Sequence, residues 1–266
     1  MNNTVNTAEK KSNTPILIIG VVLVAALLGG WWYFSSTKTP SSSAGIAGNG
    51  GKTSPGSTPK PSVIPANAPI GANPPNQSGS QTASVTLEEF ADFQCPQCAA
   101  THPIMNEIKS LYGSRIRFIY RDFPLNIPAH DKSYDASVAA EAAGMQGKFW
   151  DMQNLLFTNQ RAWTSDPNFK ATWKDYAQKI GLDVPKWEND MLGIAAKSRV
   201  DADLARGKGL NVNSTPTLYI NGVDVPFQQM TVDGLKQIID AELAKTAQNK
   251  PAAAPANAAP AGNTNK

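Results

Sequence analysis

The two cysteines of the chain, Cys95 and Cys98, are separated only by Pro96 and Gln97 in the segment DFQCPQCAATHP. Such a pair is compatible with three kinds of chemistry: a redox-active dithiol, part of a metal site, or a structural disulfide. A zinc site needs about four ligands, and the chain adds only two histidines, too far apart in sequence to pair. A disulfide across two residues closes a tiny loop and gains little from loop entropy. The spacing therefore favours a redox centre, and we expect no metal.

The sequence around the pair predicts the elements that position it. SVTLEEFADFQ, before the cysteines, has the alternation of a strand, and HPIMNEIKSLYG, after them, has the apolar spacing of a helix. SRIRFIYRDFPL then predicts a second strand. Strand, helix and strand in this order form a βαβ unit, whose two strands are parallel. The cysteines are thus expected at a strand-to-helix junction, at the N-terminus of a helix.

A helix N-terminus suits thiol chemistry. Its backbone N–H groups lack partners within the helix, and its dipole favours negative charge, so it stabilises a thiolate, the nucleophile of disulfide exchange. We expect Cys95, the more N-terminal sulfur, to attack and Cys98, one turn deeper, to resolve the mixed disulfide. Pro96 fits the first helical turn because its missing N–H costs nothing there.

Beyond the cysteines, several segments of the chain carry a family resemblance. On EEFADFQCPQC, RFIYRDFPL, QGKFWDMQNLLFTNQ, IGLD and NSTPTLYING the chain resembles the DsbA-like branch of the thioredoxin superfamily. The resemblance covers nearly the whole of the predicted folded region. It implies an α/β, thioredoxin-like fold with a helical subdomain, about residues 130–209, inserted between core strands.

The resemblance also assigns roles to Thr215 and Pro216. It implies a cis peptide bond between them, beside the cysteines, where the exposed backbone can pair with an extended substrate segment. Two residues depart from the best-known oxidases of the family. The dipeptide between the cysteines is Pro96-Gln97 where those have Pro-His, and Thr215 stands where they often have Val and several isomerases have Thr. Both departures weaken the expectation of a strong oxidant.

Glu89 is the candidate proton-transfer group. The period of two in its strand places it on a face with apolar residues, so we expect it to be partly buried, with a raised pKa. The resemblance implies an acid beneath the active site at this spacing, which makes Glu89 a proton acceptor for Cys98. The alternative, a solvated edge charge, fits Glu88 better. Asp92 is a third nearby acid that could share the role.

The N-terminal part has the pattern of a membrane anchor. Residues 15–34, PILIIGVVLVAALLGGWWYF, carry no charge and have the length of a spanning helix. Lys10 and Lys11 precede them, so we predict a cytoplasmic N-terminus, residues 1–14, and an extracytoplasmic remainder, in a periplasm or on the outer cell face. A cleaved signal peptide is the alternative.

Composition sets the remaining boundaries. Residues 35–83 are rich in Ser, Gly and Pro and poor in large apolar side chains, so we predict a disordered linker. Residues 84–247 form the predicted domain, and residues 248–266 a disordered Ala/Pro/Asn tail. A net charge of +3 without a basic cluster gives no reason to expect nucleic-acid binding.

Together these patterns predict a membrane-anchored thiol–disulfide oxidoreductase that needs no cofactor. Its partners would be cysteine-containing exported proteins and, as the resemblance implies, a quinone-linked membrane protein that re-oxidises it. Three alternatives remain open. They are a disulfide reductase or isomerase of the same fold, a metallochaperone that holds a metal with its two thiolates, and a tethered binding module whose cysteines are incidental.

Overall fold

The computed structural model of the chain describes residues 63–248. The predicted anchor, residues 15–34, and the predicted tail beyond residue 248 lie outside the described residues. Within 63–248, every helix falls short of the length and apolar character that a membrane crossing requires.

A five-stranded mixed sheet forms the centre of the domain, in the order β1-β3-β2-β4-β5. Strands β2 and β3 are parallel, as predicted, and the other neighbours are antiparallel. The strands are β1 (Asn76–Gly79), β2 (Val85–Ala91), β3 (Ile116–Asp122), β4 (Thr217–Ile220) and β5 (Val223–Val225).

Eight α-helices surround this sheet within the described residues. The first connects β2 to β3, six lie between β3 and β4, and the last follows β5, so the predicted helical insertion is present. The helices are α1 (Pro96–Tyr112), α2 (Ser133–Gly144), α3 (Phe149–Thr158), α4 (Gln160–Thr164), α5 (Phe169–Lys179), α6 (Val184–Leu192), α7 (Ile194–Gly209) and α8 (Val232–Gln248).

The insertion contributes large aromatic side chains to the main hydrophobic core. Trp163 and Trp173 are fully buried and meet edge to face, with ring centroids 5.2 Å apart. The indole N–H of Trp163 donates to the carbonyl of Leu156 at 2.7 Å, which fastens α4 to α3. A large buried ring whose N–H is satisfied, as in Trp163, makes a rigid support for helix α4.

Strand β2 is covered on both faces, and this overturns one expectation. Glu88 was expected as a solvated edge charge, and that expectation is wrong, because its side chain is buried within the sheet. Arg121 and Arg206 each donate to its carboxylate at 2.6 Å. These charge-assisted hydrogen bonds offset the cost of burying the acid and hold its pKa below the usual range, against the opposing effect of burial.

The predicted disordered linker, residues 35–83, is wrong in its last part, because residues 63–83 belong to the folded domain. Strand β1 pairs with β3, and Ala72 is buried. Gly71 has φ of +80°, and an added Cβ there would lie 2.7 Å from the Arg121 guanidinium, so only glycine allows this close approach. The domain therefore begins earlier than composition suggests.

Arginine side chains help to hold this N-terminal segment, in addition to the apolar contacts of Ile64 and Ala68. Arg121 donates to the carbonyls of Ile70 and Ala72, and Arg206 donates to the carbonyl of Pro69. Backbone carbonyls occur in any composition, so a segment poor in apolar residues can still be ordered when buried cations reach its backbone. That is the physical reason why the composition misled.

The antiparallel pairing of β2 and β4 brings two distant parts of the chain together. Phe90, near the end of β2, is in register with Thr217, the first residue of β4. The loop that follows β2 and carries the cysteines therefore lies beside the residues that precede β4. This register places Thr215 and Pro216 at the cysteine pair.

Candidate active site

The cysteine pair lies where the sequence predicts, at the start of helix α1. Cys95 is the N-cap residue and Pro96 opens the helix. Both cysteines are free thiols and both are buried, while Pro96 and Gln97 between them are exposed. The solvent-facing dipeptide is thus the part of the motif that an approaching molecule meets first.

The environment of Cys95 favours the thiolate. A hydrogen bond from the Cys98 thiol lowers the pKa of Cys95 to about 5, with further help from Thr215 and from the backbone N–H groups of Cys98 and Gln97. Partial burial opposes this shift. Donors aimed at a sulfur from the first turn of a helix are the arrangement expected to activate a cysteine.

Cys98 has the opposite character. Burial raises its pKa well above the usual value, and the hydrogen bond and the charge of Cys95 raise it further, as does the charge of Glu89. At neutral pH one sulfur is therefore ionised while the other keeps its proton. This asymmetry is what an attacking and a resolving cysteine need, although the assignment of the two roles stays a prediction.

Thr215 and Pro216 lie against the thiols. The peptide bond between them is cis, which confirms that prediction. When Cys95 is protonated, its thiol donates to the Thr215 carbonyl oxygen at 3.2 Å. Among the described residues the Thr215 hydroxyl is buried without an ordinary hydrogen-bond partner, yet the side chain lies near enough to help lower the Cys95 pKa. Their role in substrate docking stays a prediction.

Glu89 lies in the interior beneath the pair, as expected from its strand face. Burial raises its pKa to about 7, against the opposing charge of Lys109. The ammonium of Lys109 sits over the Trp150 ring, 4.5 Å from its centroid, and over the Phe118 ring. A carboxyl that titrates near neutrality can both give and take a proton, which keeps Glu89 the candidate for proton transfer.

Asp92, the other acid considered, is an anchor of the active-site loop. One carboxylate oxygen accepts from the Gln94 N–H at 2.7 Å and from the Ser133 hydroxyl. The other accepts from the Leu125 N–H at 2.8 Å and is paired with His130 at 2.6 Å. Both oxygens are occupied, so Asp92 fixes the loop to the start of the insertion.

Gln160, a residue that sequence reasoning missed, also reaches the loop. It opens helix α4, is buried, and its side-chain amide donates to the carbonyls of Phe93 at 2.7 Å and of Cys95 at 2.9 Å. A glutamine 65 residues beyond Cys95 carries no sequence signal for this contact. It becomes visible only once the insertion is folded against the sheet.

A groove beside the pair leaves room for a bound molecule. Its volume is about 550 Å³, and it opens between the first turn of α1 and the junction of α3 with α4. One wall is formed by Pro96, Ala99 and Ala100. The other wall is formed by residues 157–162. The side chains on the first wall are small, which leaves space in the groove.

Three buried carboxylates away from the cysteines could in principle hold a cation. Oxygen atoms of Asp122, Glu141 and Asp203 lie within 4.8 Å of one another. Arg199 already pairs with Glu141, and Arg121 with Asp203 at 2.8 Å. Burial and the two neighbouring acids raise the pKa of Asp122 well above its usual range, so a proton can take the place of a cation. The expectation of a metal-free chain stays a prediction.

Comparison with known proteins identifies relatives of this domain. A family model described as thioredoxin matches residues 74–241. The structure of BdbD from Bacillus subtilis in its oxidised form is similar, with a TM-score of 0.57 and 22% identity, over 66% of this chain and 98% of that one. The thiol-disulfide exchange protein alpha-DsbA2 from Wolbachia pipientis is similar with a TM-score of 0.54 and 20% identity, over 64% of this chain and 87% of that one. At these identities the likeness concerns the fold.

Curated relatives are longer proteins. The Na(+)/H(+) antiporter NhaA 1 of Mycolicibacterium gilvum is 33% identical over 171 residues, which are 62% of this chain and 26% of the antiporter. This chain thus spans about a quarter of the length of the curated relatives that it matches. The shared part is of the size of the domain described above, and the antiport named for the whole relative is not attributed to it.

Proposed function

This chain belongs to the thioredoxin family, with a DsbA-like fold, and we propose that it is a thiol–disulfide oxidoreductase working through Cys95 and Cys98. The observation that carries the proposal is the contrast between the two thiols, one with a pKa of about 5 and the other with a pKa well above the usual value. A structural thiol pair has no need of this contrast, whereas disulfide exchange depends on it.

In the proposed reaction the oxidised enzyme accepts two electrons from a substrate dithiol. A substrate thiolate attacks the Cys95 sulfur of the Cys95–Cys98 disulfide, the S–S bond breaks, and its electron pair stays on Cys98. A mixed disulfide now joins Cys95 to the substrate. The second substrate thiolate attacks the substrate sulfur of that bond, which forms the substrate disulfide and releases Cys95 as a thiolate. Its low pKa makes Cys95 a good leaving group.

Glu89 handles the proton in this scheme. Cys98 leaves the enzyme disulfide as a thiolate that its environment strongly disfavours, so it takes up a proton. Glu89 is buried and titrates near pH 7, so a fraction of it carries a proton that it can supply near neutrality. In the reverse direction the same carboxylate accepts the proton of Cys98 before it attacks.

Substrate docking falls to Thr215 and Pro216. An extended substrate segment would pair with the backbone of Thr215 as an added strand, which places its cysteine next to Cys95. The groove of about 550 Å³ beside Pro96 would receive neighbouring residues of the same segment.

The direction of exchange follows from which redox form the site stabilises. A thiolate held by several donors stabilises the reduced form, and a couple whose reduced form is stabilised is an oxidant. We therefore propose donation of disulfides, in preference to the reductase or isomerase alternative, despite Gln97 and Thr215. No cofactor enters the reaction. Re-oxidation would come from a quinone-linked membrane partner, as the resemblance to the DsbA-like branch implies.

The proposed location rests on the sequence. Residues 15–34 would anchor the chain, with the domain outside the cytoplasm and cysteine-containing exported proteins as substrates. Protease added to spheroplasts should then release a folded domain without breaching the membrane. Protection of the domain in intact spheroplasts would show that the predicted orientation is wrong.

The activity itself is tested with the full-length chain in detergent. The oxidised protein should form disulfides in a reduced, unfolded substrate, and a Cys95→Ser variant should not. Equal substrate oxidation by the wild type and by Cys95→Ser would contradict the proposal. The metallochaperone alternative predicts about one equivalent of Cu(I) or Zn after purification under reducing conditions, a result that metal analysis would reveal.

A further inference from the structure

Gln160 contacts the active-site loop from outside it. The residue opens the short helix α4 of the insertion, while the loop belongs to the core sheet. Its side-chain nitrogen donates to the Phe93 carbonyl and to the Cys95 carbonyl, so both of its amide protons are used. These two carbonyls flank Gln94, and the amide therefore spans the loop immediately before helix α1.

The helix that carries Gln160 is firmly held. Trp163 is fully buried and packs edge to face on Trp173, and its indole N–H donates to α3. The hydroxyl of Thr164 donates to the Gln160 carbonyl at 2.8 Å. The Gln160 side chain thus extends from a fixed base, so its amide can impose an orientation on the loop instead of following it.

The Cys95 carbonyl matters because its orientation and that of the sulfur are set together. Cys95 is the N-cap residue, with φ of −69° and ψ of 119°, and its carbonyl also accepts the Ala99 N–H at 3.2 Å. A change in ψ would move the sulfur relative to the N–H groups of Gln97 and Cys98 in the first turn. The Gln160 amide opposes that rotation.

We propose that Gln160 is a positioning residue of the thiol pair, whose amide fixes the Cys95 peptide group so that the sulfur stays over the first turn of α1. The inserted subdomain thereby takes part in the chemistry. Two effects of the amide act in the same direction. It fixes the Phe93 carbonyl before the motif, and it fixes the Cys95 carbonyl that opens the first turn of α1.

The effect of Gln160 on catalysis rests on the proposed function. Its effect on the ionisation of Cys95 does not, because that ionisation can be measured without any substrate. The test uses the full-length reduced protein. The pH dependence of thiolate absorbance and of alkylation rate gives the pKa of Cys95 in the wild type, Gln160→Met and Gln160→Glu. Met keeps the length and apolar stem but has no donor, and Glu keeps the shape but replaces the donor with an acceptor.

We expect Gln160→Met to raise the pKa of Cys95, with ionisation about three- to tenfold weaker, the scale of one neutral hydrogen bond. The equilibrium constant with glutathione should shift toward the disulfide form by a similar factor. Gln160→Glu should raise the pKa at least as much. The control is Gln146→Ala, since Gln146 also bridges backbone groups of the insertion, those of Asp183, but none in the active-site loop.

Three results would overturn the inference. One is an unchanged Cys95 pKa in Gln160→Met together with lower stability, which would make the residue merely structural. Another is a rise in Gln160→Glu alone, which would be a charge effect. The third is an equal rise in Gln146→Ala. An inactive wild type with the expected pKa shifts would instead remove the proposed function and leave the positioning role standing.

Discussion

The sulfur of Cys95 lies 3.2 Å from the carbonyl oxygen of Thr215, although 120 residues separate the two in the chain. The contact exists because β2 and β4 are antiparallel neighbours, so the end of one meets the beginning of the other. The sulfur proposed as the nucleophile and the backbone proposed to dock its substrate are thereby parts of one site, and each should respond to changes in the other.

The first prediction concerns the ionisation of the two thiols. Alkylation of the reduced protein should rise with pH around a midpoint of about 5, because Cys95 is the thiol whose pKa is lowered to that value. Cys98 should remain unmodified at neutral pH, because burial and Cys95 hold its proton. Mass spectrometry of the labelled peptide identifies the modified sulfur. A midpoint near the ordinary cysteine value of about 8.5 would contradict the site as described.

A second prediction separates attacker from resolver. Cys98→Ser should accumulate mixed disulfides with substrate proteins through Cys95, since nothing then resolves them. Cys95→Ser should accumulate few, because the remaining sulfur is buried, only about 1% exposed, and protonated. Non-reducing gels quantify both. Equal trapping by the two variants would withdraw the role assignment while leaving the redox proposal in place.

Much of the fold and of the site could be read from local sequence. The βαβ unit follows from alternation in two strands and from apolar spacing in the helix between them, and both signals are local. The spacing of the two cysteines indicates a redox centre, and the position of Glu89 on the apolar face of its strand predicts that it is buried. Thr215 and Pro216 needed the family resemblance, since nothing near them in sequence points to Cys95.

The misses share a physical cause, namely that polar contacts over long sequence distances leave no periodic pattern. Glu88 looked like a surface charge because its partners, Arg121 and Arg206, lie 33 and 118 residues away. Residues 63–83 looked disordered because they are poor in large apolar side chains, and composition does not reveal the arginine contacts to their backbone carbonyls. Gln160 gave no signal, since its partners are carbonyls, which every residue has.

The third prediction follows from the burial of Glu89. Its pKa is raised from 4.5 to about 7, so the native state binds this proton more tightly than the unfolded state. The contribution of Glu89 to the free energy of unfolding is therefore fully present below pH 4.5 and is lost as the pH rises through about 7. Glu89→Gln has no charge to bury and should be more stable than wild type at pH 8, by up to about 3 kcal/mol, and equally stable at pH 4.

Urea unfolding at several pH values measures this effect. Glu107→Gln, on the exposed side of helix α1, is the matched control and should leave the pH dependence unchanged. The slope of stability against pH between 4.5 and 7 should flatten only in Glu89→Gln. An unchanged slope in that variant would mean that Glu89 is not the buried titrating acid.

A fourth prediction tests the arginine that holds the N-terminal segment. Arg121→Met leaves the buried acids Glu88 and Asp203 short of a partner, so we expect a loss of about 3–5 kcal/mol. Residues 63–79 should also become sensitive to protease, because the carbonyls of Ile70 and Ala72 lose their donor. Arg115→Met, at an exposed position, should cost little. Wild-type stability of Arg121→Met would refute the proposed role of this network.

The last prediction addresses the side chain of Thr215, which differs from the Val often found in similar oxidases. Its hydroxyl is buried without an ordinary partner among residues 63–248, yet it helps to lower the Cys95 pKa. Thr215→Val keeps the shape and the carbonyl contact but removes this donor, so the Cys95 pKa should rise while stability stays equal or increases. Thr215→Ser keeps the donor and should leave the pKa near about 5. Thiolate absorbance against pH, with urea unfolding alongside, measures both quantities. If Val and Ser gave the same pKa, the hydroxyl would have no part in holding the thiolate, and the contribution of Thr215 would be that of its backbone alone.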